Sequence, residues 1–214
     1  HKEISDFDPS ILSPYEYQKR KTKSIFNIGD ENIPRVIVDA SLEKKIELDT
    51  FLQAGYSYFP EEDKWGIGDF ACDYLYVGSH SIDIKLPGTL GIIQDYSTWI
   101  KHSIDQHYPL LQIKDYLDNK LLHESINFIQ CKIDDITKEF IYKLKSDSTA
   151  VLIIYTQNEH AMAEMRRLIV EMLINDCMVP IIIKRQYHNI NLDTLQLYSS
   201  TDVGGLLIDG YGDG

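Results

Sequence analysis

Cysteine, positive charge and long apolar runs are all scarce in this chain. Its 214 residues hold three cysteines, Cys72, Cys131 and Cys177, and none lies at CxxC or CxxH spacing from another ligand. Isolated thiols in odd number exclude a disulfide framework or a zinc ribbon. They fit a reducing compartment where cysteine serves as a small apolar residue. Lys and Arg number 21 against 33 Asp and Glu, a net charge of −12. A surface of that sign repels nucleic acid and anionic membrane, so neither is an expected partner. The longest apolar runs, AVLIIY and VPIII, are far too short to cross a bilayer. No signal-peptide pattern opens the chain, so the expected localisation is cytoplasmic. The first residue is His1 rather than Met, which reads as processing or as a cut in a longer chain.

Catalytic motifs are missing too. There is no G-x-S-x-G elbow and no G-x-G-x-x-G after a first strand. The histidines His1, His80, His102, His107, His123, His160 and His188 show no metal spacing; His102 and His107, five apart, fall out of register on a helix. The segment GYGDG at 210–214 is rich in glycine, but no Lys-Ser or Lys-Thr pair follows it. A tight turn needing positive φ accounts for it better than a phosphate cradle. No catalytic, cofactor-binding or metal-ligating residue is assigned.

What the chain does have is a 43% hydrophobic content and an alternation of strand and helix patterns. Continuous apolar runs predict strands at 35–40, 74–77, 90–95, 126–131, 150–155, 179–184 and 205–209, as for strands buried on both faces of a parallel sheet. A short strand and a Gly29-Asp30 turn are expected before the first. Helices are expected at 49–54, ending at Gly55, at 134–144, at 159–175 with Asn158 as N-cap, and at 192–200. This order means an α/β fold: TIM-barrel-like, incomplete, with a mostly parallel sheet and surrounding helices. An open doubly wound sheet is the alternative. Residues 1–22 read as a linker or strap from a preceding domain, and 23–214 as the α/β domain.

A few residues stand out within that frame. Asp39 and Asp95 follow their strands, where α/β folds place ligands, and serve equally well as helix N-caps. Asp209 ends the last apolar run in the same way. The stretch QKRKTK at 18–23 could meet phosphate, but a solvated charge run is the commoner reading. YSYF at 56–59 and Trp65 fall in a long loop, either a contact surface or a lid over one barrel end. The methionines at 159–175 follow a narrow core-facing stripe.

Three segments, YEYQKRKTKSIFNIGDENIPRVIVDAS near the start, DYLYVGS at 73–79 and STDVGGLLIDGYGDG at 200–214, stand in the order and separation of a known family. Together they resemble the inserted middle domain of the large, three-domain form of hydroxymethylbutenyl diphosphate synthase, found in plants, Bacteroidetes-like bacteria and chlamydiae. The resemblance is strongest at GGLLIDGYGDG, close to a family pattern G-A-L-L-x-D-G-L-G-D-G. It implies a parent oxidoreductase of the non-mevalonate isoprenoid pathway that opens a cyclic diphosphate reductively on a [4Fe–4S] cluster. It also implies that substrate and cluster sit on the flanking domains of the same chain, with a plastid location in plants. None of Cys72, Cys131 or Cys177 matches the family's cluster motif, so no cofactor is expected in this stretch. The expected role is that of a spacer orienting the substrate and cluster domains. A docking module for a small molecule or an electron donor at the strand C-termini is the rival. The terminal GYGDG is then a structural turn at the boundary of a longer chain.

Overall fold

The apolar runs pair side by side in the order in which they occur. A computed structural model describes residues 17–101, 104–118 and 120–214. Its strands are β1 (Ile37–Asp39), β2 (Tyr56–Phe59), β3 (Lys64–Ile67), β4 (Tyr74–Tyr76), β5 (Gly91–Asp95), β6 (His107–Gln112), β7 (Asn127–Cys131), β8 (Ala150–Tyr155) and β9 (Ile181–Lys184). β2 and β3 form a separate antiparallel hairpin. The other seven make one parallel sheet in the order β1-β4-β5-β6-β7-β8-β9. Such a singly wound order belongs to barrels, whereas a doubly wound sheet reverses direction midway.

Side chains alternate across the pleat, so each strand serves two cores. On one face Tyr74, Ile93, Tyr108, Leu110, Phe128, Val151, Ile153 and Ile182 converge in a single cluster, with Ile37 of β1 against it. First and last strands can share one cluster only if the sheet curls, and the fold is a seven-stranded half-barrel with helices around it. Ile25 and Ile28, the ends of a tight turn joined by a two-way backbone bridge, are fully buried in the same cluster. They plug the end from which the strands start.

On the outer face Ile129, Leu152, Ile154, Ile181 and Ile183 pack against two helices, α4 (Lys138–Ser146) and α5 (Ala161–Ile174). Met165 and Met172 are buried there, as the narrow stripe requires. The remaining helices are α1 (Leu48–Gln53), α2 (Tyr96–Trp99), α3 (Ile113–Leu117), α6 (Leu192–Ser199) and α7 (Gly205–Ile208). Gly55 follows α1 with φ +93, the left-handed position that glycine tolerates.

Several expectations are corrected. The run GLLI at 205–208 is helical, not a strand: α6 passes through a wide π-helical turn at Ser200–Gly204 directly into α7. Four apolar residues fit either state, and only their packing decides. Leu206 is buried and Ile208 is exposed, a one-sided helical burial. β6 was hidden by Pro109, which the β6–β7 ladder tolerates because pairing begins only at Leu110↔Phe128. YSYF and Trp65 form the hairpin instead of a loop. Trp65 packs on Phe51, Tyr56 and Tyr58 and covers the outer face of β4 and β5, not an end of the barrel. The helix expected at 134–144 is divided: a 3-10 turn at Ile133–Asp135 precedes α4, whose N-cap Thr137 accepts from Phe140 N. His160, not Asn158, is the N-cap of α5; Asn158 instead accepts from His160 N and donates to Glu164.

GYGDG lies at the C-terminal end of a helix. Gly210 has φ +77, its N–H donates to Leu207 O, and Tyr211 N–H donates to Leu206 O. This is the Schellman arrangement that closes a helix. A helix C-terminus presents carbonyls and negative partial charge, the wrong polarity for phosphate. A Cβ at Gly210 would stand 2.8 Å from Lys19 Cα. Gly210→Val should therefore cost about 2 kcal/mol, seen as a Tm drop of roughly 4–8 °C. Gly88→Ala, where nothing lies within 4 Å, should leave the Tm unchanged. Equal effects of the two in thermal denaturation would contradict this account of the turn.

Candidate functional site

Each inner row of the half-barrel ends in a polar residue where the strand ends. Asp39, Asp95, Gln112, Gln130, Tyr155 and Lys184 close β1, β5, β6, β7, β8 and β9 at or beside their last residues. This is the face on which (β/α) barrels carry their sites. Lys184 Nζ meets Asp39 Oδ2 at 2.6 Å, linking the last strand to the first. Asp39 Oδ1 accepts from Ser41 N at 3.0 Å and Ser41 Oγ at 2.6 Å. Tyr76 donates its hydroxyl to Asp95 Oδ1 at 2.7 Å, and the Lys184 ammonium lies 5.2 Å from the Tyr76 ring centre.

Below this crown is a cavity of about 460 Å3, lined by Ile37, Tyr76, Leu110, Gln130, Ile153 and Lys184 among others. The volume suits a small ligand, and the walls are mainly apolar. Burial and the Asp95 carboxylate both push the Tyr76 phenol far up, so it stays protonated and keeps its hydrogen for Asp95. Burial pulls the Asp39 carboxyl upward, but the hydrogen bonds from Lys184 and Ser41 outweigh it and hold Asp39 below the usual aspartate range. Asp39, Lys184, Tyr76 and Asp95 thus form one run of charge and hydrogen-bond contacts across the rim, able to hold and orient.

The structure brings Asp39 and Asp95 together on this rim, and neither caps a helix with its side chain. Asp209 is elsewhere, paired with Arg166 of α5. Sequence reading missed Tyr76, Gln130 and Lys184. The signal was present: each is the polar end of a row whose earlier members, two residues apart, are apolar.

The cysteines do not fit a cluster. All three are buried, Cys72 in the core beneath the hairpin and Cys131 and Cys177 in the helical layer. Burial pushes Cys72 up to about 11 and raises the other two as well. Thiols so hard to ionise are poor ligands. Among the described residues no group of three or more His, Cys, Asp or Glu is placed to hold a metal ion, and no helix is long and apolar enough to cross a membrane. His102 lies outside the described residues. Burial lowers the pKa of His107 and of His123, the latter with its ring 5.1 Å from Tyr108.

The opposite end holds the other polar constellation. The basic stretch at 18–23 is not a solvated run. Arg20 is 6% exposed, and its NH2 donates to Cys177 O at 2.6 Å and Val179 O at 3.0 Å. Its NH1 stands 4.0 Å from Asp213 Oδ2. Asp213 accepts further from Ile181 N at 2.9 Å and Thr22 Oγ1 at 3.1 Å. Arg20 N donates to Gly210 O, and Lys23 reaches the carbonyls of Lys145 and Asp147 at the end of α4. Arg20, Thr22 and Lys23 therefore pack on this domain, while Tyr17, Gln18 and Lys21 face outward. Residues 1–16 lie outside the described residues.

No protein-family model and no solved structure matches the chain. Curated relatives do. It is 29% identical over 153 residues, 69% of its length, to the 4-hydroxy-3-methylbut-2-en-1-yl diphosphate synthase (flavodoxin) of Parabacteroides distasonis. Proteins of the same name from Phocaeicola vulgatus and Bacteroides fragilis are 24% identical over 213 and 212 residues, 100% and 99% of this chain. The chain is homologous to a part of these synthases. It spans 24% of the first and 30% of the other two, as a middle domain would.

The Asp39–Lys184 link predicts a pH dependence. A carboxylate whose folded pKa is depressed stabilises above its unfolded value, near 3.9, and that stability is lost as pH falls through the folded value. Wild type should exceed Asp39→Asn in Tm at pH 7, with the gap shrinking as the pH falls below the unfolded value near 3.9. A gap that stays unchanged on acidification would show that Asp39 contributes packing alone.

Proposed function

We propose that this chain is a structural spacer domain in a 4-hydroxy-3-methylbut-2-en-1-yl diphosphate synthase, with residues 1–22 as the connecting segment and 23–214 as the domain. The observation that carries the reading is the buried tie between the strap at 17–23 and the turn at 210–214. Arg20, Thr22 and Asp213 lock the two segments side by side at the plugged end. A knot of this kind holds the strap and the turn at 210–214 in fixed positions on the barrel, so a unit attached through either segment keeps its direction. A loose tie would let flanking units rotate.

In this reading the parent performs the reductive ring opening, with its [4Fe–4S] cluster and its diphosphate site on the flanking domains. This domain contributes placement, and a misplacement of about 1 Å between reacting groups can cost about a hundredfold in rate. The parent works in the cytoplasm, or in the plastid of a plant. The second reading, favoured by the open cavity at the mouth, is a docking module for a small molecule or for the flavodoxin in the relatives' name.

Two variants of the full-length synthase separate these. Arg20→Met strands the Asp213 carboxylate in the interior, at a cost of about 3–5 kcal/mol. Assayed at a temperature where it remains folded by circular dichroism, it should lose kcat about tenfold or more with KM unchanged. Lys184→Gln at the mouth should alter neither. The reverse pattern, a raised KM for flavodoxin in Lys184→Gln and normal kcat in Arg20→Met, would replace the spacer by the docking module.

A further inference from the structure

The half-barrel has two open strand edges, and they face each other. β1 bonds β4 through alternate residues: Tyr74 N donates to Val36 O, and Ala40 N to Tyr76 O. The backbone groups of Ile37 and Asp39 therefore point away from β4, and neither N–H meets an acceptor among the described residues. β9 bonds β8 through Pro180, since Leu152 N donates to Pro180 O. Its groups at Ile181 and Ile183 accordingly point outward, toward β1.

The chain itself has begun to fill this slot. Asp213 N donates to Ile181 O at 2.7 Å, Ile183 N donates to Gly214 O at 2.9 Å, and Arg35 N donates to Asp213 O at 2.9 Å. Asp213 thus lies between the two edges, bonded to Ile181 on one side and to Arg35, just ahead of β1, on the other, and Gly214 follows it along β9. The fit is tight: a Cβ at Gly214 would come within 2.4 Å of Arg35 O and 2.6 Å of Ile182 Cδ1. The slot continues above Gly214. Val36, Ile37, Ile183 and Leu207 line it, and it opens into the cavity of about 460 Å3. Val36 is 55% exposed and Leu42, beside it, 79%. At the far end the Asp39–Lys184 bridge crosses the gap with side chains alone.

We propose that this slot receives an eighth parallel strand, formed by the residues that follow Gly214 in the longer protein, and that it closes the barrel. About four residues fill the distance from Gly214 to the level of Asp39, at ~3.3 Å each. They would take up the outward groups of Ile37 and Asp39, the carbonyl of Ile183 and the amide of Arg185. Alternate side chains would enter the apolar cavity, so much of the mouth cavity is the space those side chains occupy. A consequence is directional. The strap enters at the plugged end, whereas a strand continuing from Gly214 emerges at the mouth, so the two attachments of the closed domain lie at opposite ends of the barrel. The proposal goes beyond the spacer reading and does not rest on it, because it concerns backbone pairing and not rate.

Amide hydrogen exchange tests it. In the 214-residue chain, Ile37 and Asp39 should exchange at nearly unprotected rates while Val38, bonded to β4, is slow. In the full-length synthase both should slow by about 100-fold or more, independently of protein concentration. Three results would overturn the proposal. One is fast exchange at both positions in the full-length protein. Another is protection already present in the monomeric 214-residue chain, which means another segment fills the slot. The last is protection that rises with concentration alongside a dimer in sedimentation, which assigns the slot to a second copy.

Discussion

Asp213 holds a carboxylate 4% exposed at the point where the strap, the terminal turn and the start of β9 meet. Removing a carboxylate from water costs several kcal/mol, and only close charge and hydrogen bonds offset it. Burial pushes its pKa up; the amide of Ile181, the Arg20 guanidinium and Thr22 pull it back. Every one of those partners is structural. Arg20 also closes the carbonyls of Cys177 and Val179, and Asp213's own backbone joins β9 to Arg35 ahead of β1. Arg20 and Asp213, with the hydrogen bonds around them, thus tie residues 20–22, the turn at 210–214, the start of β9 and Arg35 ahead of β1 into one cluster. The plug of Ile25 and Ile28 lies directly after the strap, and its position depends on the same contacts.

The sequence made the parallel sheet legible because strands buried on both faces must be apolar throughout, and six of the seven sheet strands announced themselves that way. The seventh, β6, carries Pro109 and a histidine and did not. The error at 205–208 had the opposite cause: a short apolar run carries no period, and the preceding polar turn of α6 hid the helix it belongs to. The clamp was illegible for a more basic reason. A basic stretch at 18–23 and an Asp at 213 are 191 residues apart where Thr22 meets Asp213, and nothing local marks Arg20 as the buried member among its lysine neighbours.

At the mouth, Asp39 and Asp95 could be placed from sequence because they end strands. Tyr76 and Lys184 complete the crown only through the curl of the sheet, which brings β9 back toward β1. Asp39 there is paired with Lys184, Asp95 accepts from the Tyr76 hydroxyl, and the cavity beneath is mainly apolar. Polar capping of an apolar lumen, a plugged lower end and the tie between residues 20–22 and the turn at 210–213 all favour rigidity.

Rigidity in the service of placement is the central claim, and one substitution of the whole domain addresses it most directly. In the full-length synthase, the domain would be replaced by a flexible Gly/Ser linker long enough to span the same attachments. Diphosphate binding and the cluster's absorption, which belong to the flanking domains in this account, should persist, while single-turnover ring opening falls by about a hundredfold or more. Turnover at the wild-type rate with the linker in place would contradict the account, since no rigid spacer would then be needed.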